Sequence, residues 1–548
     1  MPVKITLLAI NAKYLHSSLA VWYLLGGLKK YAKKQHDTTV IEATINQSIE
    51  SIIDRIVNSK PNVVGISTYI WNANVVISII KQLKLILPET IILLGGPEAS
   101  HNATFWLNQS ADFVMYGDGE YDIATFIDAL GDKNEEAIKN IPGIYYISDN
   151  KICFTPKKSV MNEYINPYSE EYFSSLKGSL SYIESSRGCP FSCSYCLSSN
   201  DSIRLFPIEE IKHHLAELVE SGTQTIKFVD RTFNCHLVRA KEITRYILSL
   251  ETDCCFHFEV AADLFDEELL NLLISAPKGR IKLEIGLQSF NEDTLKAVSR
   301  VTNQQKAEEN IRYLLQNQNI HIHVDLIAGL PYETLETFIE GFNRAYQIGA
   351  HTLQLGFLKM LYGSRLREQA VEYDIQYTEK PPYEVTNTQW LSGDDIQILK
   401  KTENALQNTY NKGRFLETLR YVLDASKLTP FTLYHQMGSV VPHHAIYLED
   451  YLEQLYYFLA SLKNVDINLL RDNIICDMLR MTKGKSIPKL LRSYGEQRKK
   501  TATIARQILG RNIDYDEVEV IGSNIGIYVD GSIKDSVTGL YSIGHITL

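Results

Sequence analysis

Residues Ser185–Asn200 read SSRGCPFSCSYCLSSN, and the rest of the chain is organised around them. Cys189, Cys193 and Cys196 stand at Cys-x3-Cys-x2-Cys spacing. Thiolates this close together can wrap one face of a metal centre from a single loop. Zinc usually takes four ligands in paired Cys-x-x-Cys knuckles, and the chain has no second knuckle. An iron–sulfur cube differs, because three thiolates hold three irons and leave the fourth open to a substrate. Gly188 before the first cysteine and the aromatic Tyr195 before the last narrow the pattern further. A zinc clip or three buried thiols are the bland alternatives.

The chain around this stretch has 548 residues, 45% hydrophobic and 22% charged. That is the composition of a globular protein, with length for about three or four domains. A net charge of -10 argues against a generic electrostatic grip on nucleic acid. The opening MPVKITLLAINAKYL has too short an apolar run, and no small-residue cleavage site, for a signal peptide. Ile79–Leu94 comes nearest to a membrane span and is broken by Lys81, Lys84 and Glu89, so no membrane partner is expected. Outside the triad, Cys153, Cys235, Cys254, Cys255 and Cys476 show no framework spacing, a usage that fits a reducing cytoplasm.

Upstream, short apolar strands alternate with amphipathic helices. Val3–Ile10, Thr38–Ile45, Asn62–Ser67, Thr90–Gly95 and Asp112–Tyr116 read as strands of an open, mostly parallel, doubly wound sheet. Ligands of such sheets sit beyond the carboxyl ends of the strands. Those ends carry Asn11–Ser17 (NAKYLHS), Ser67–Asn72 (STYIWN), Gly95–Ser100 (GGPEAS) and Tyr116–Glu120 (YGDGE). A hairpin over Ile141–Ile147 and Lys151–Phe154, turning at Asp149–Asn150, is expected in a connector that follows.

A second βα series starts near residue 176 and holds the cysteines. Ser181–Ser186, Thr225–Val229, Cys255–Val260, Lys282–Ile285, His321–Ile327 and Thr352–Phe357 read as its strands. Six strands rather than eight predict an incomplete (β/α)6, TIM-like barrel with chemistry at the carboxyl ends of its strands. The βα rhythm stops beyond about 375. Asp394–Asn411, Asp450–Ser461 and Ile467–Met481 read as helices, Met481–Lys500 as a basic, solvated helix face, and Glu517–Leu548 as a small β unit.

The triad stretch resembles the cluster loop of the radical S-adenosylmethionine (SAM) superfamily. The resemblance implies a 4Fe-4S cluster on Cys189, Cys193 and Cys196, with Tyr195 beside it. The open iron chelates the amino and carboxylate groups of SAM, and the reduced cluster cleaves SAM to methionine and a 5′-deoxyadenosyl radical. Taken with the triad downstream, the first sheet is similar to the Rossmann-like cobalamin-binding domain that precedes many radical SAM cores. Its GGPEAS and YGDGE turns sit where that family has them. This implies cobalamin contacts from Asn11, His16, Ser67, Gly95, Gly96 and Gly117. The motif Asp-x-His-x-x-Gly, which supplies a lower axial histidine, is absent, so cobalamin is expected without a protein histidine on cobalt. His16 lies in the first strand-end loop, either as a ligand or as a polar loop residue.

Later strand ends extend the resemblance. Phe228–Asn234 (FVDRTFN) resembles the loop whose polar groups meet the SAM amino group, which implies that place for Asp230. Glu259 and Asp263, then Glu284 and Gln288, are implied near the ribose and amino acid moieties. Asp325–Thr334 (DLIAGLPYET), with Asp325 and Gly329, is similar to the Gly-Leu-Pro turn of the coproporphyrinogen-dehydrogenase-like branch, where strand backbone faces adenine. Arg204 is either a partner of the SAM carboxylate, which a guanidinium fork suits, or a solvated loop arginine. The C-terminal part resembles an uncharacterised extension found on some cobalamin-type radical SAM proteins.

The expected organisation is a cobalamin-type domain over 1–135, a connector over 136–175, a radical SAM core over 176–375 and a helical extension over 376–548. The implied activity is cobalamin-dependent methyl transfer to an unactivated carbon or phosphorus of a small-molecule or peptide substrate. An electron donor such as flavodoxin or ferredoxin would serve the cluster. Oxidation or rearrangement with a structural cobalamin domain, and a non-catalytic cobalamin sensor, are the alternatives. Methylthiolation of tRNA would need a second cysteine set in the N-terminal domain, and no cysteine precedes Cys153.

Overall fold

The computed structural model describes residues 2–548 apart from 158–162, 177, 200–201, 441–446 and 494. Asn200, part of the predicted connector and one residue of the basic stretch therefore lie outside the described residues. The chain divides into two units, residues 1–259 with 298–300 and 359–385, and residues 260–297 with 301–358 and 386–548.

The first unit opens on β1 (Val3–Asn11), β2 (His36–Thr44), β3 (Val63–Ser67), β4 (Ile91–Gly95) and β5 (Phe113–Met115). These pair in parallel. β6 (Ile144–Ser148) and β7 (Lys151–Phe154) add antiparallel to give the order β2-β1-β3-β4-β5-β6-β7. β1 is buried along nearly its whole length, as a parallel strand covered by helices on both faces must be. The helix Ile49–Ser59 shows how those covers form. The Ser48 hydroxyl accepts the Ser51 N–H as its cap, and Ile52, Ile53 and Ile56 make its buried stripe. From β1 the chain goes to β2 on one side and then to β3 on the other, so the switch point opens between β1 and β3. Ligands of doubly wound sheets enter there. The predicted hairpin turns at Asp149 and Asn150, both at positive φ, and continues the sheet because β5 offers it unpaired edge groups.

The same unit then starts the second series with β8 (Ser181–Ile183), β9 (Ser186–Arg187), β10 (Arg204–Leu205), β11 (Thr225–Phe228) and β12 (Cys255–Val260). β8, β11 and β12 run parallel as neighbours in that order. β9 and β10 pair antiparallel and close the cysteine loop between them.

The second unit contributes β13 (Ile281–Gln288), β14 (His321–Ala328) and β15 (Thr352–Phe357), also parallel. Six parallel strands of the predicted series are thus present, three in each unit. In β13 the residues Ile281, Leu283, Ile285 and Leu287 are buried while Lys282, Glu284 and Gln288 take the other face. That face keeps polar groups because it is the one left free of helices. Further on, the helix Gly393–Asn408 starts in a capping box of Ser392 and Asp395. Helices Leu448–Ala460, Ile467–Thr482 and Glu496–Leu509 follow, and the tail forms a three-stranded antiparallel sheet.

One expectation is corrected here. The basic stretch at Met481–Lys500 is not a wholly solvated face. Arg498, buried, and Arg492, half-buried, pair with the fully buried Glu519 of the tail sheet, at 3.2 and 3.4 Å. A carboxylate without exposure needs paired guanidinium groups, and these two supply them. No described helix is long and apolar enough to cross a membrane.

Candidate functional site

The cysteine loop is held from several sides. Gly188 takes φ +97, and a turn bond from Cys196 N–H to the Cys193 carbonyl (3.1 Å) links the second and third cysteines. Ser194 donates its N–H to the Val298 carbonyl at 2.9 Å and accepts from Leu366 N–H at 2.8 Å. All three cysteines are free thiols, with Cys189 and Cys193 buried. Burial raises the Cys196 thiol above its ordinary value. The Ser198 N–H and Arg231 oppose this, and Cys193 and Cys189 add to it, which places the three sulfurs within each other's field. Three unpaired soft donors on one stapled loop fit a cluster with one open iron.

Arg300 is a site residue that no local motif announces. Its Nη1 lies 3.7 Å from Cys193 Sγ and 3.4 Å from the Tyr195 hydroxyl. The Thr232 hydroxyl sits 3.8 Å from Cys189 Sγ. Arg204, weighed above as a carboxylate partner, is bound instead to Asp118 at 2.5 Å. A guanidinium that does lie beside the cysteines is that of Arg300, 107 positions after Cys193, in addition to Arg231, whose charge acts on Cys196.

Asp230 is placed differently from its expected role. It is fully buried, and its carboxylate accepts the Ser185 N–H (2.8 Å), the Ser185 hydroxyl (2.6 Å) and the Ser186 hydroxyl (2.6 Å). It anchors the start of the cysteine loop. Burial raises its carboxyl to about 6 despite these donors. Glu259 lies 3.2 Å from Lys227 Nζ.

In the second unit Gln288 ends β13 at φ +69, and its Oε1 is buried with no hydrogen-bond partner among the described residues. An orphaned buried acceptor at a strand end fits a polar ligand. Glu284 faces His323 in the β13–β14 register, and Asp325 lies 3.0 Å from His323 Nε2. Asp263 accepts the Asn303 N–H at 2.9 Å. Gly329 turns the chain at φ +95.

Close by in the same unit, Glu333 is buried and, among the described residues, its carboxylate accepts only the Ser289 hydroxyl, at 2.5 Å. Burial pushes its carboxyl from 4.5 up to about 8, with Ser289 opposing. Because the folded value lies above the unfolded one, the stability it contributes is present below the ordinary carboxylate range. That stability is lost as pH rises through about 8. The urea midpoint of the protein is expected to fall across this interval, and Glu333→Gln, which stays neutral, to flatten that part of the profile. An equal fall in both proteins would assign the effect to another group.

At the β1/β3 switch point, Ser67 Oγ is buried and unpartnered among the described residues. A Cβ built on Gly95 would meet nothing within 4 Å, whereas Gly96, at φ +91, lies so close to Thr68 that its Cβ would come 2.6 Å from the Thr68 carbonyl. Open room at Gly95 beside an orphaned hydroxyl fits a large ligand approaching the backbone. Tyr69 and Trp71 stack at 4.3 Å, and Trp71 is half exposed. Glu98, buried in the same GGPEAS turn, accepts the Tyr383 hydroxyl at 2.6 Å.

Asn11 and His16 are committed to protein contacts. Asn11 Nδ2 donates to the His16 carbonyl (2.8 Å) and to Glu42 (2.9 Å). The His16 ring bonds through Nδ1 to the Tyr182 hydroxyl, and burial is the main cause of its lowered pKa. Gly117, at φ +77, opens the YGDGE turn. From that turn Asp118 and Glu120 reach Arg187 Nη1 at 2.9 and 2.8 Å. Arg187 also forks onto Glu184, with Nε and Nη2 at 2.9 and 2.8 Å.

Comparison with known proteins agrees with the fold. The B12 binding domain family matches residues 5–127, the radical SAM superfamily residues 183–345, and a family described as a protein of unknown function, DUF4080, residues 371–519. An uncharacterized methyltransferase of Pyrococcus horikoshii is 23% identical over 65% of this chain and 79% of its own length. The cobalamin-dependent radical SAM methyltransferase TokK of Streptomyces tokunonensis is 22% identical over 61% of this chain, which spans about half (52%) of that protein. An anaerobic magnesium-protoporphyrin IX monomethyl ester cyclase of Rubrivivax gelatinosus is 25% identical over 59% of this chain and 61% of its own length. Among solved structures, the cobalamin-dependent SAM radical enzyme OxsB with aqua-cobalamin bound has the same fold. Its TM-score is 0.62 at 15% identity, over 87% of this chain and 79% of that one.

Proposed function

Starting from a chain that belongs to the radical SAM superfamily and carries a B12-binding domain before its radical SAM domain, we propose that it is a cobalamin-dependent methyltransferase. Its target is an unactivated carbon or phosphorus of a small-molecule or peptide substrate. The observation that carries this reading is the cysteine triad on its stapled loop in a chain that also matches the B12 binding domain family, with methyltransferases among its relatives.

When bound, the cluster with SAM supplies a carbon radical and cobalamin supplies a methyl group, chemistry that side chains cannot provide. The chain's own part is to bind and orient. Cys189, Cys193 and Cys196 hold the cluster, and Asp230 fixes the strand that leads into their loop. Arg300 stands where a carboxylate could pair with its guanidinium fork. Gln288 Oε1 offers an acceptor to the polar part of SAM. Ser67 and Gly95 leave the crevice open to the corrin. His16 is engaged through Nδ1 with Tyr182, and because the chain lacks Asp-x-His-x-x-Gly the cobalt would take no protein imidazole. A flavodoxin or ferredoxin would deliver the electron, in a reducing cytoplasm that spares an oxygen-labile cluster. The acidic net charge supports neither a nucleic-acid nor a membrane partner.

Anaerobically reconstituted protein, given SAM, hydroxocobalamin and a flavodoxin reducing system, tests the reading. The expected products are 5′-deoxyadenosine together with S-adenosylhomocysteine, the latter dependent on cobalamin. Deoxyadenosine alone would replace methyl transfer by oxidation or rearrangement. Absence of both products would overturn the enzyme reading in favour of a cobalamin sensor.

A further inference from the structure

We infer that Arg187 couples the two cofactor sites, so that filling the B12-binding crevice stabilises the cluster loop and filling the cluster loop strengthens cobalamin binding. The inference rests on the proposed function, because it needs both cofactors to bind.

Arg187 lies in β9, two residues before Cys189, and Arg204 lies in β10, where the chain leaves the cysteine loop. Both guanidinium groups end on one side chain. Asp118 takes Arg187 on Oδ1 at 2.9 Å and Arg204 on Oδ2 at 2.5 Å. Glu120 and Glu184 complete the cluster, giving two cations and three carboxylates that are each less than a quarter exposed. The Arg187 plane also lies over the Tyr23 ring, 5.2 Å from its centroid, which leaves it little freedom to swing away. Its charge holds the Asp118 carboxyl below the usual range against the opposing effect of burial, with Arg204 helping.

On the other side the YGDGE turn cannot drift by itself. Lys157 Nζ donates to the Asp118 carbonyl at 2.5 Å, and the helix Leu19–Tyr31 touches the Glu120 carbonyl so closely that only glycine fits at Gly27. The turn therefore moves with the carboxyl end of its sheet. A shift there must carry both ends of the cysteine loop along or break partly buried ion pairs, which costs more than losing fully exposed ones. Whatever order a ligand imposes on the turn is passed to the loop, and reciprocity requires the same factor in return.

The test uses the full-length protein reconstituted with iron and sulfide under anaerobic conditions. Iron release to a ferrous chelator is timed with and without saturating hydroxocobalamin, and hydroxocobalamin Kd is measured with and without the cluster. Wild-type protein is expected to release iron about five-fold or more slowly when cobalamin is bound, and to bind cobalamin more tightly by a similar factor when the cluster is present. In Arg187→Met both factors are expected to fall to about one while each cofactor still binds. Should that variant fail to fold, Asp118→Asn, which leaves both guanidinium groups in place, gives the same readout. The ratio separates coupling from plain destabilisation, because a merely structural residue changes both release rates alike. Unchanged ratios in the variants, or a wild-type ratio of one with cobalamin bound, would overturn the coupling alone. Failure of wild-type protein to bind hydroxocobalamin would overturn the proposed function and the coupling with it.

Discussion

Replacing Cys189, Cys193 and Cys196 together by alanine is expected to remove all reconstituted iron, the visible charge-transfer absorbance and the paramagnetic signal of the reduced state. Thiolates are the ligands of such clusters, and the chain has no second group of cysteines at ligand spacing. The loop itself should survive the change. Its position is kept by the Ser194 bonds to Val298 and Leu366 and by the Asp230 bonds to Ser185 and Ser186, none of which uses a thiol. The triple variant should therefore fold and still bind hydroxocobalamin. Iron and sulfide retained near wild-type stoichiometry would place the cluster elsewhere and remove the basis of the assignment.

The second large effect is expected at Asp230. Asp230→Ala strips acceptors from one buried N–H and two buried hydroxyls. Each unsatisfied group costs about 1–3 kcal/mol, so the total is on the order of several kcal/mol. The loss falls on the strand that delivers Cys189, so iron bound per chain after reconstitution should drop to less than half. Asp230→Asn keeps one carbonyl acceptor and should lose less. Iron analysis and SAM binding on the same samples distinguish two roles. A positioning carboxylate predicts low iron; a carboxylate that contacts the SAM amino group predicts full iron and a raised Kd for SAM. The three donors already on Asp230 favour the first outcome.

Much of the architecture was legible in the order of residues. Parallel strands buried on both faces read as unbroken apolar runs, as in Leu7–Ile10, and the helices between them carry their buried stripe at helical spacing. The hairpin at Asp149–Asn150 was legible because positive φ at two successive positions suits those residues. What escaped was its destination, the open edge of β5, since an edge exists only once the sheet has formed. The basic stretch near Arg498 misled for a similar reason. Its partner Glu519 lies on a strand that is remote in sequence, and burial changes what a charge needs.

The candidate site divides along the same line. Three cysteines within one loop are a local pattern, so their spacing was enough to mark them as the candidate cluster ligands. The absence of a lower-ligand motif was equally readable. Only the tertiary structure decided which acid or base meets which. It brought Arg300 to Cys193, gave Arg204 and Arg187 to Asp118, and turned Asp230 toward the serines that precede the cysteines. The physical reason is that ligand spacing along a loop is set by covalent geometry, whereas pairing between distant charged groups is set by burial. A guanidinium takes whichever carboxylate the packed strands leave within reach.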